Sequence, residues 1–260
     1  MSSSLASFYS PHLLSLRPYV PGEQPRIANL VKLNTNENPY PPSPLVLDAI
    51  QQDMANGLER YPDPESLALR EAVARRHGLG ADEVFAGNGS DEVLAHAFFA
   101  FFRQEEPLLC PDVTYSFYRV YAQRYDIDCE LLPVDDALRI DVDALAARAA
   151  RGCAGIVLAN PNAPTGIGLP LAQIERLLQA CPQRVVLVDE AYVDFGGTSA
   201  LPLVHKYPNL VVVQTLSKSR SLAGLRVRGV RLALGEGSTR NSSSSTPTVK
   251  GFPEPNALSR

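Results

Sequence analysis

The second half of the chain alternates short apolar runs with amphipathic segments. Gly155–Ala159, Arg184–Val188 and Leu210–Val213 are nearly free of polar positions, which predicts strands buried on both faces. Leu108-Leu109 begins a further strand, and Ile127 to Val134 is strand-like. Between them, the Ala-rich stretch Asp141–Ala150 and Leu171–Ala180 read as helices. Upstream, Leu45–Met54 carries helical spacing. Glu65–His77 predicts an amphipathic helix with Leu67, Leu69 and Val73 inward, stopped by Gly78 and Gly80. Val93–Phe102 predicts an apolar helix. Strands alternating with helices imply an α/β fold in three layers, α/β/α, around a mainly parallel sheet.

In such sheets ligands gather beyond the C-terminal ends of the strands. Polar groups cluster there: the loop containing Asn162 follows one strand, Asp189 and Tyr192 a second, and Lys218 a third. A lysine just past a buried strand can lose its hydration, which favours the nucleophilic amine. The plain alternative is a solvated lysine in a polar loop.

The pattern breaks in four places. Residues 1–30 have sparse apolar positions and helix-breaking Pro18, Pro21 and Gly22, and read as an arm. Leu33–Pro44, dense in Asn and Pro, and Arg60–Pro64 are rigid irregular loops. Gly87–Glu92 combines glycines, Ser90 and Asp91 at a helix start. Its free N–H groups suit an anion, or Ser90 or Asp91 simply caps the helix. After Val227 helical and strand patterning ends, and the Ser/Thr-rich stretch from Ser238 reads as disordered.

Composition narrows the class. The chain has 260 residues, 45% hydrophobic and 20% charged, as a globular protein does. A formal net charge of −4 argues against nucleic acid as the main partner. No apolar run suits a membrane span, and the N-terminus lacks the marks of a signal peptide. Cys110, Cys129, Cys153 and Cys181 are scattered singly, with no metal-ligand spacing, and read as reduced thiols of a cytoplasmic protein.

Seven segments, in this order, resemble fold-type I pyridoxal-phosphate aminotransferases, and within them the histidinol-phosphate branch. They are Leu33–Pro39, Tyr61–Asp63, Gly87–Asp91, Pro111–Tyr118, Asn160–Gly166, Val188–Tyr192 and Thr215–Arg226. The resemblance implies a pyridoxal 5'-phosphate cofactor, joined to Lys218 as an imine. It implies that Asp189 pairs with the ring nitrogen, that Tyr192 and Asn162 contact the phenolic oxygen, and that Tyr115 stacks on the ring. The phosphate falls to Gly89, Ser90, Asp91, Ser217 and Arg226, and to Tyr61 of a neighbouring subunit in a homodimer. Glu37 and Asn38 fall near the substrate entrance. Many relatives have Asn where this chain has Ala163, immediately before Pro164. The implied reaction exchanges an amino group between histidinol phosphate and glutamate or 2-oxoglutarate, in histidine biosynthesis.

The resemblance ends near Val227. Residues 31–227 are expected to form the cofactor-binding domain. Residues 228–260 are expected to form a divergent tail, where the resemblance implies a smaller C-terminal domain that carries the substrate-carboxylate arginine. The abrupt change of composition there suggests a frameshift, and weak turnover is expected. Another pyridoxal-phosphate enzyme, whether aminotransferase or phospho-amino-acid decarboxylase, and a non-catalytic remnant remain alternatives.

Overall fold

The structure, a computed structural model, describes residues 8–16, 22–23, 25–55, 57, 59–225 and 228–230. In chain order, α1 (Pro11–Ser15), α2 (Pro44–Ala55) and α3 (Leu67–His77) precede β1 (Phe85–Gly87) and α4 (Gly89–Ala97). A π-helical turn over Phe98–Phe102 extends α4. Then come β2 (Leu108–Pro111), α5 (Phe117–Arg124), β3 (Cys129–Leu132), α6 (Val142–Ala149), β4 (Gly155–Ala159), α7 (Leu171–Ala180), β5 (Val185–Asp189), β6 (Leu210–Val213) and β7 (Arg228–Val230).

Five strands form one parallel sheet in the order β3-β2-β4-β5-β6. The register aligns Ala159 with Asp189 and Asp189 with Val213, so β4, β5 and β6 end level with one another. Loops leaving them start from one line, which is why groups far apart in the chain share a site.

Side chains alternate strictly across the sheet, as the pleat requires. Ile156, Leu158, Val186, Val188, Leu210 and Val212 face an aliphatic core with α6 and α7. Val157, Leu187, Val211 and Val213 face the other way, into an aromatic core with Phe98, Phe102, Tyr118 and Tyr121. Gly155 lets this second core close. A Cβ there would come within 2.6 Å of both the Phe102 ring and the Val185 carbonyl oxygen.

The expected three-layer α/β/α class matches this sheet, with differences in detail. Helix α5 lies where the sequence reading assigned no element, because its aromatic and β-branched residues hide helical spacing. Leu67 is exposed at the start of α3, where Ala74 is the buried residue. Gly78 does stop α3, in the left-handed conformation with φ +69°. The arm is not wholly detached: His12 Nε2 bonds the Arg124 carbonyl at 2.8 Å. Just past the expected boundary at Val227, Arg228–Val230 pairs antiparallel with β1. The expected disorder of the tail beyond residue 230 lies outside the described residues.

Candidate active site

Beyond the level ends of β4, β5 and β6 lies a cavity of about 440 Å³. Ser90, Asp91, Tyr115, Asp189, Tyr192, Ser217 and Lys218 line it, together with Thr35, Glu37 and Ala163. The sheet therefore gathers seven of the eleven site residues expected from the sequence around one space.

Asp189 is the last residue of β5 and is buried. Strand alternation turns its side chain toward the aromatic core. There Oδ2 accepts from the Tyr118 hydroxyl at 2.9 Å, and Oδ1 accepts from the Ala191 N–H at 3.1 Å. Burial pushes its carboxyl up to about 6, against the pull of the Tyr118 donor.

Lys218 follows β6 through the turn after Thr215 and is half-buried. Its amine is not stripped of polar partners as the sequence suggested: Nζ donates to the Thr35 carbonyl at 2.9 Å and lies 5.6 Å from the centre of the Tyr192 ring. The Asn-rich loop holds this corner. Asn38 donates to the Lys218 carbonyl at 3.1 Å, and Asn36 donates to the Tyr192 hydroxyl at 3.0 Å. Glu37 lines the cavity while Lys32 holds its carboxylate, through a hydrogen bond that lowers its affinity for a proton.

An anion could settle at the start of α4, whose first N–H groups have no carbonyl one turn back. Gly89 sits there with φ +94°, a conformation that favours glycine; it is buried and does not line the cavity. Ser90 does line it. The Asp91 carboxylate is taken by the hydroxyls of Tyr115 at 3.2 Å and Tyr121 at 3.3 Å, and its charge would repel an anion. Only its backbone N–H suits the expected phosphate contact. Ser217 Oγ is buried with no partner among the described residues. A buried hydroxyl left unpaired on a cavity wall invites a ligand acceptor.

Two expected residues fall elsewhere. Asn162 is buried and faces away from the cavity: Oδ1 accepts from Thr114 at 2.8 Å, and Nδ2 donates to the Val113 carbonyl at 2.9 Å. Its amide holds the loop after β4 to the loop after β2, and Ala163 occupies the cavity wall instead. Tyr61 is fully exposed and outside this cavity. Arg226 lies outside the described residues.

Sequence reasoning missed Thr35, which caps Lys218 through a carbonyl no motif can advertise. It also missed Tyr118, because α5 was not recognised. Glu190 was passed over as well: it is buried, and accepts from Ser199 Oγ and Gln214 Nε2, both at 2.7 Å, binding the loop after β5 to the end of β6. Burial raises its carboxyl.

The cavity thus joins hydroxyl and N–H donors for an anion, a carboxylate for a cation, a flat ring and an amine. Known proteins resemble this chain in sequence and in fold. The chain is 59% identical over 223 residues to histidinol-phosphate aminotransferase of Gluconacetobacter diazotrophicus, covering 86% of this chain and 62% of that protein. It is 57% identical to histidinol-phosphate aminotransferase 1 of Methylococcus capsulatus, covering 88% and 62%. The crystal structure of the Sinorhizobium meliloti histidinol-phosphate aminotransferase, in complex with pyridoxal-5'-phosphate, superposes with a TM-score of 0.78 at 28% identity, covering 88% of this chain and 64% of that one. The chain therefore spans under two thirds of the length of these relatives. The family model for aminotransferase class I and II matches residues 28–230, and the chain belongs to that family.

Proposed function

We propose that this chain is the cofactor-binding part of a pyridoxal-phosphate aminotransferase that acts on histidinol phosphate with glutamate or 2-oxoglutarate, in histidine biosynthesis in the cytoplasm. One observation carries the reading: the Lys218 amine, the buried Asp189 carboxylate and the unpartnered Ser217 hydroxyl line a single cavity. The residues fit the cofactor, because each of its chemical features has a complementary group there. The relatives named above support the substrate. Among the described residues no helix is long and apolar enough to cross a membrane.

Bound in this cavity, pyridoxal phosphate supplies an electron sink for a carbanion at the substrate's α-carbon. The chain's own residues do the rest. Lys218 is the amine that binds the cofactor covalently and, once freed, the base that takes the proton from the substrate Cα. Asp189 would hold a proton on the ring nitrogen. Tyr115 would cover one face of the ring and Tyr192 would meet its phenolic oxygen. Ser90, Ser217, the N–H groups at the start of α4, and Arg226 would hold the phosphate. Ala163 offers the phenolic oxygen no donor, so that contact rests on Tyr192.

The chain acts as a homodimer in this reading. Exposed Val31, Leu33, Tyr40, Leu45, Met54 and Tyr61 crowd the N-terminal third, an apolar surface that a second copy would cover. Tyr61 would reach the partner's phosphate. The test is absorbance of the full chain with pyridoxal phosphate, before and after borohydride, followed by an assay of amino transfer from histidinol phosphate to 2-oxoglutarate. A borohydride-fixed adduct and turnover are expected. No cofactor-derived band sinks the reading; a band with turnover only on other amino donors moves the substrate.

A further inference from the structure

Tyr118 does more than fill the aromatic core. It is fully buried in α5, with its ring stacked on Phe98 at 6.1 Å and edge-on to Tyr115 at 5.4 Å. A phenylalanine would fill that apolar volume equally well. The hydroxyl instead donates to Asp189 Oδ2 at 2.9 Å, beneath the cavity that Asp189 lines. With the ring clamped between neighbours, the direction of this donor is set before any ligand arrives.

The carboxylate has a lone pair to spare on each oxygen. Ionised, it offers about four acceptor sites, of which Tyr118 takes one on Oδ2 and the Ala191 N–H one on Oδ1. The remainder can meet a cationic group in the cavity. That requires an ionised Asp189, and burial works against ionisation. The Asp91 charge from the start of α4 also works against it, while Lys218 and the Ala191 N–H favour it. The Tyr118 donor is the strongest influence on the favourable side. Tyr118 itself stays protonated, since burial and the neighbouring Asp189 charge push its hydroxyl well above its ordinary value. It is thus a permanent donor.

We propose that Tyr118 is a positioning residue: from the far side of Asp189, its hydroxyl aims that carboxylate and keeps it ionised toward a protonated ring nitrogen in the cavity. This rests on the pyridoxal-phosphate reading above and adds a residue to it.

The test uses the full chain and 4-deoxypyridoxine 5'-phosphate, a probe that keeps the ring nitrogen and phosphate but cannot react with Lys218. Its affinity is measured from pH 5 to 8 for the natural chain, Y118F, D189N and the double variant. Asp189's share of the acid limb is what D189N removes. Y118F is expected to move that limb up by about one pH unit, weakening binding about tenfold near pH 6, and to have no further effect on the D189N chain. Replacing Tyr118 by 3-fluorotyrosine, a stronger donor of nearly the same volume, is expected to move the limb down. An equal loss at every pH, or the same loss in the D189N background, would show a packing role and overturn the proposal. If Y118F does not fold, the fluorotyrosine chain decides: an unmoved limb overturns it. Failure of the natural chain to bind either pyridoxal phosphate or the probe would instead defeat the cofactor reading itself.

Discussion

The two faces of the sheet are built differently. One is aliphatic: α6 and α7 press Leu145, Ile174 and Leu177 onto β4, β5 and β6, and among the described residues its fully buried side chains carry no hydroxyl, Tyr207 being only partly buried against it. The other is aromatic, and three of its rings carry hydroxyls that end on carboxylates at the cavity, Tyr118 on Asp189, and Tyr115 and Tyr121 on Asp91. The aliphatic face has one task, burial of apolar area. The aromatic face supplies burial as well, and delivers polar contacts from beneath the site. Tyrosine suits this second task because its body packs as a core residue while its tip donates.

This contrast can be broken at graded sites. The largest effect is expected at Lys218, which belongs to neither face. Lys218→Ala should abolish the borohydride-fixed adduct entirely while leaving urea unfolding nearly unchanged; an adduct that persists would remove Lys218 from its assigned role. Next comes the aliphatic face. Ile174→Ala, on α7 and fully buried, should cost about 2–5 kcal/mol in denaturant unfolding without altering cofactor affinity of the folded fraction. A large change in affinity would show that the aliphatic face also shapes the site.

Asp189 tests the aromatic face through pH. In the unfolded chain its carboxyl has its ordinary value of 3.8, and burial in the folded chain pushes it up to about 6. The folded form therefore holds its proton longer. Asp189's contribution to stability is full below about pH 4 and is lost as pH rises through about 6. The loss is on the order of 3 kcal/mol. D189N should flatten this part of the profile of melting temperature against pH. An unchanged slope would mean that Asp189 is not desolvated.

The smallest effect is expected from Tyr121→Phe. It removes the 3.3 Å donation to Asp91 but keeps the ring, so about 0.5–1.5 kcal/mol of stability should go. A larger loss would place Tyr121 beside Tyr118 as a residue on which the cavity depends.

Much of this was legible in the sequence, for a simple reason. A strand buried on both faces must be apolar throughout, so β4, β5 and β6 show as runs, and their ends mark the edge where ligands collect. Asp189, Tyr192, Lys218 and the loop containing Asn162 could be placed at that edge without a structure. Helix α5 could not: Phe117-Tyr118-Arg119-Val120-Tyr121 mixes aromatic, charged and β-branched residues, so propensity is weak and packing decides its conformation. Strand β1 is too short to give a period. The cysteines read as scattered thiols. The fold brings two of them together: Cys110 and Cys129 sulfurs lie 3.3 Å apart on adjacent strands, while Cys181 donates to the Leu177 carbonyl.

The sequence by itself determined the α/β class, the buried strands and the residue types at the strand ends, because burial and periodicity are local properties of the chain. Only the tertiary structure decided the strand order, the turning of Asn162 away from the cavity in favour of Ala163, and the donation from Tyr118 to Asp189 across 71 positions of chain. The same holds for the Thr35 carbonyl that meets Lys218 across 183 positions. These depend on where distant backbones come to rest against one another, and a carbonyl or a ring carries no mark in the sequence of the partner that packing brings to it.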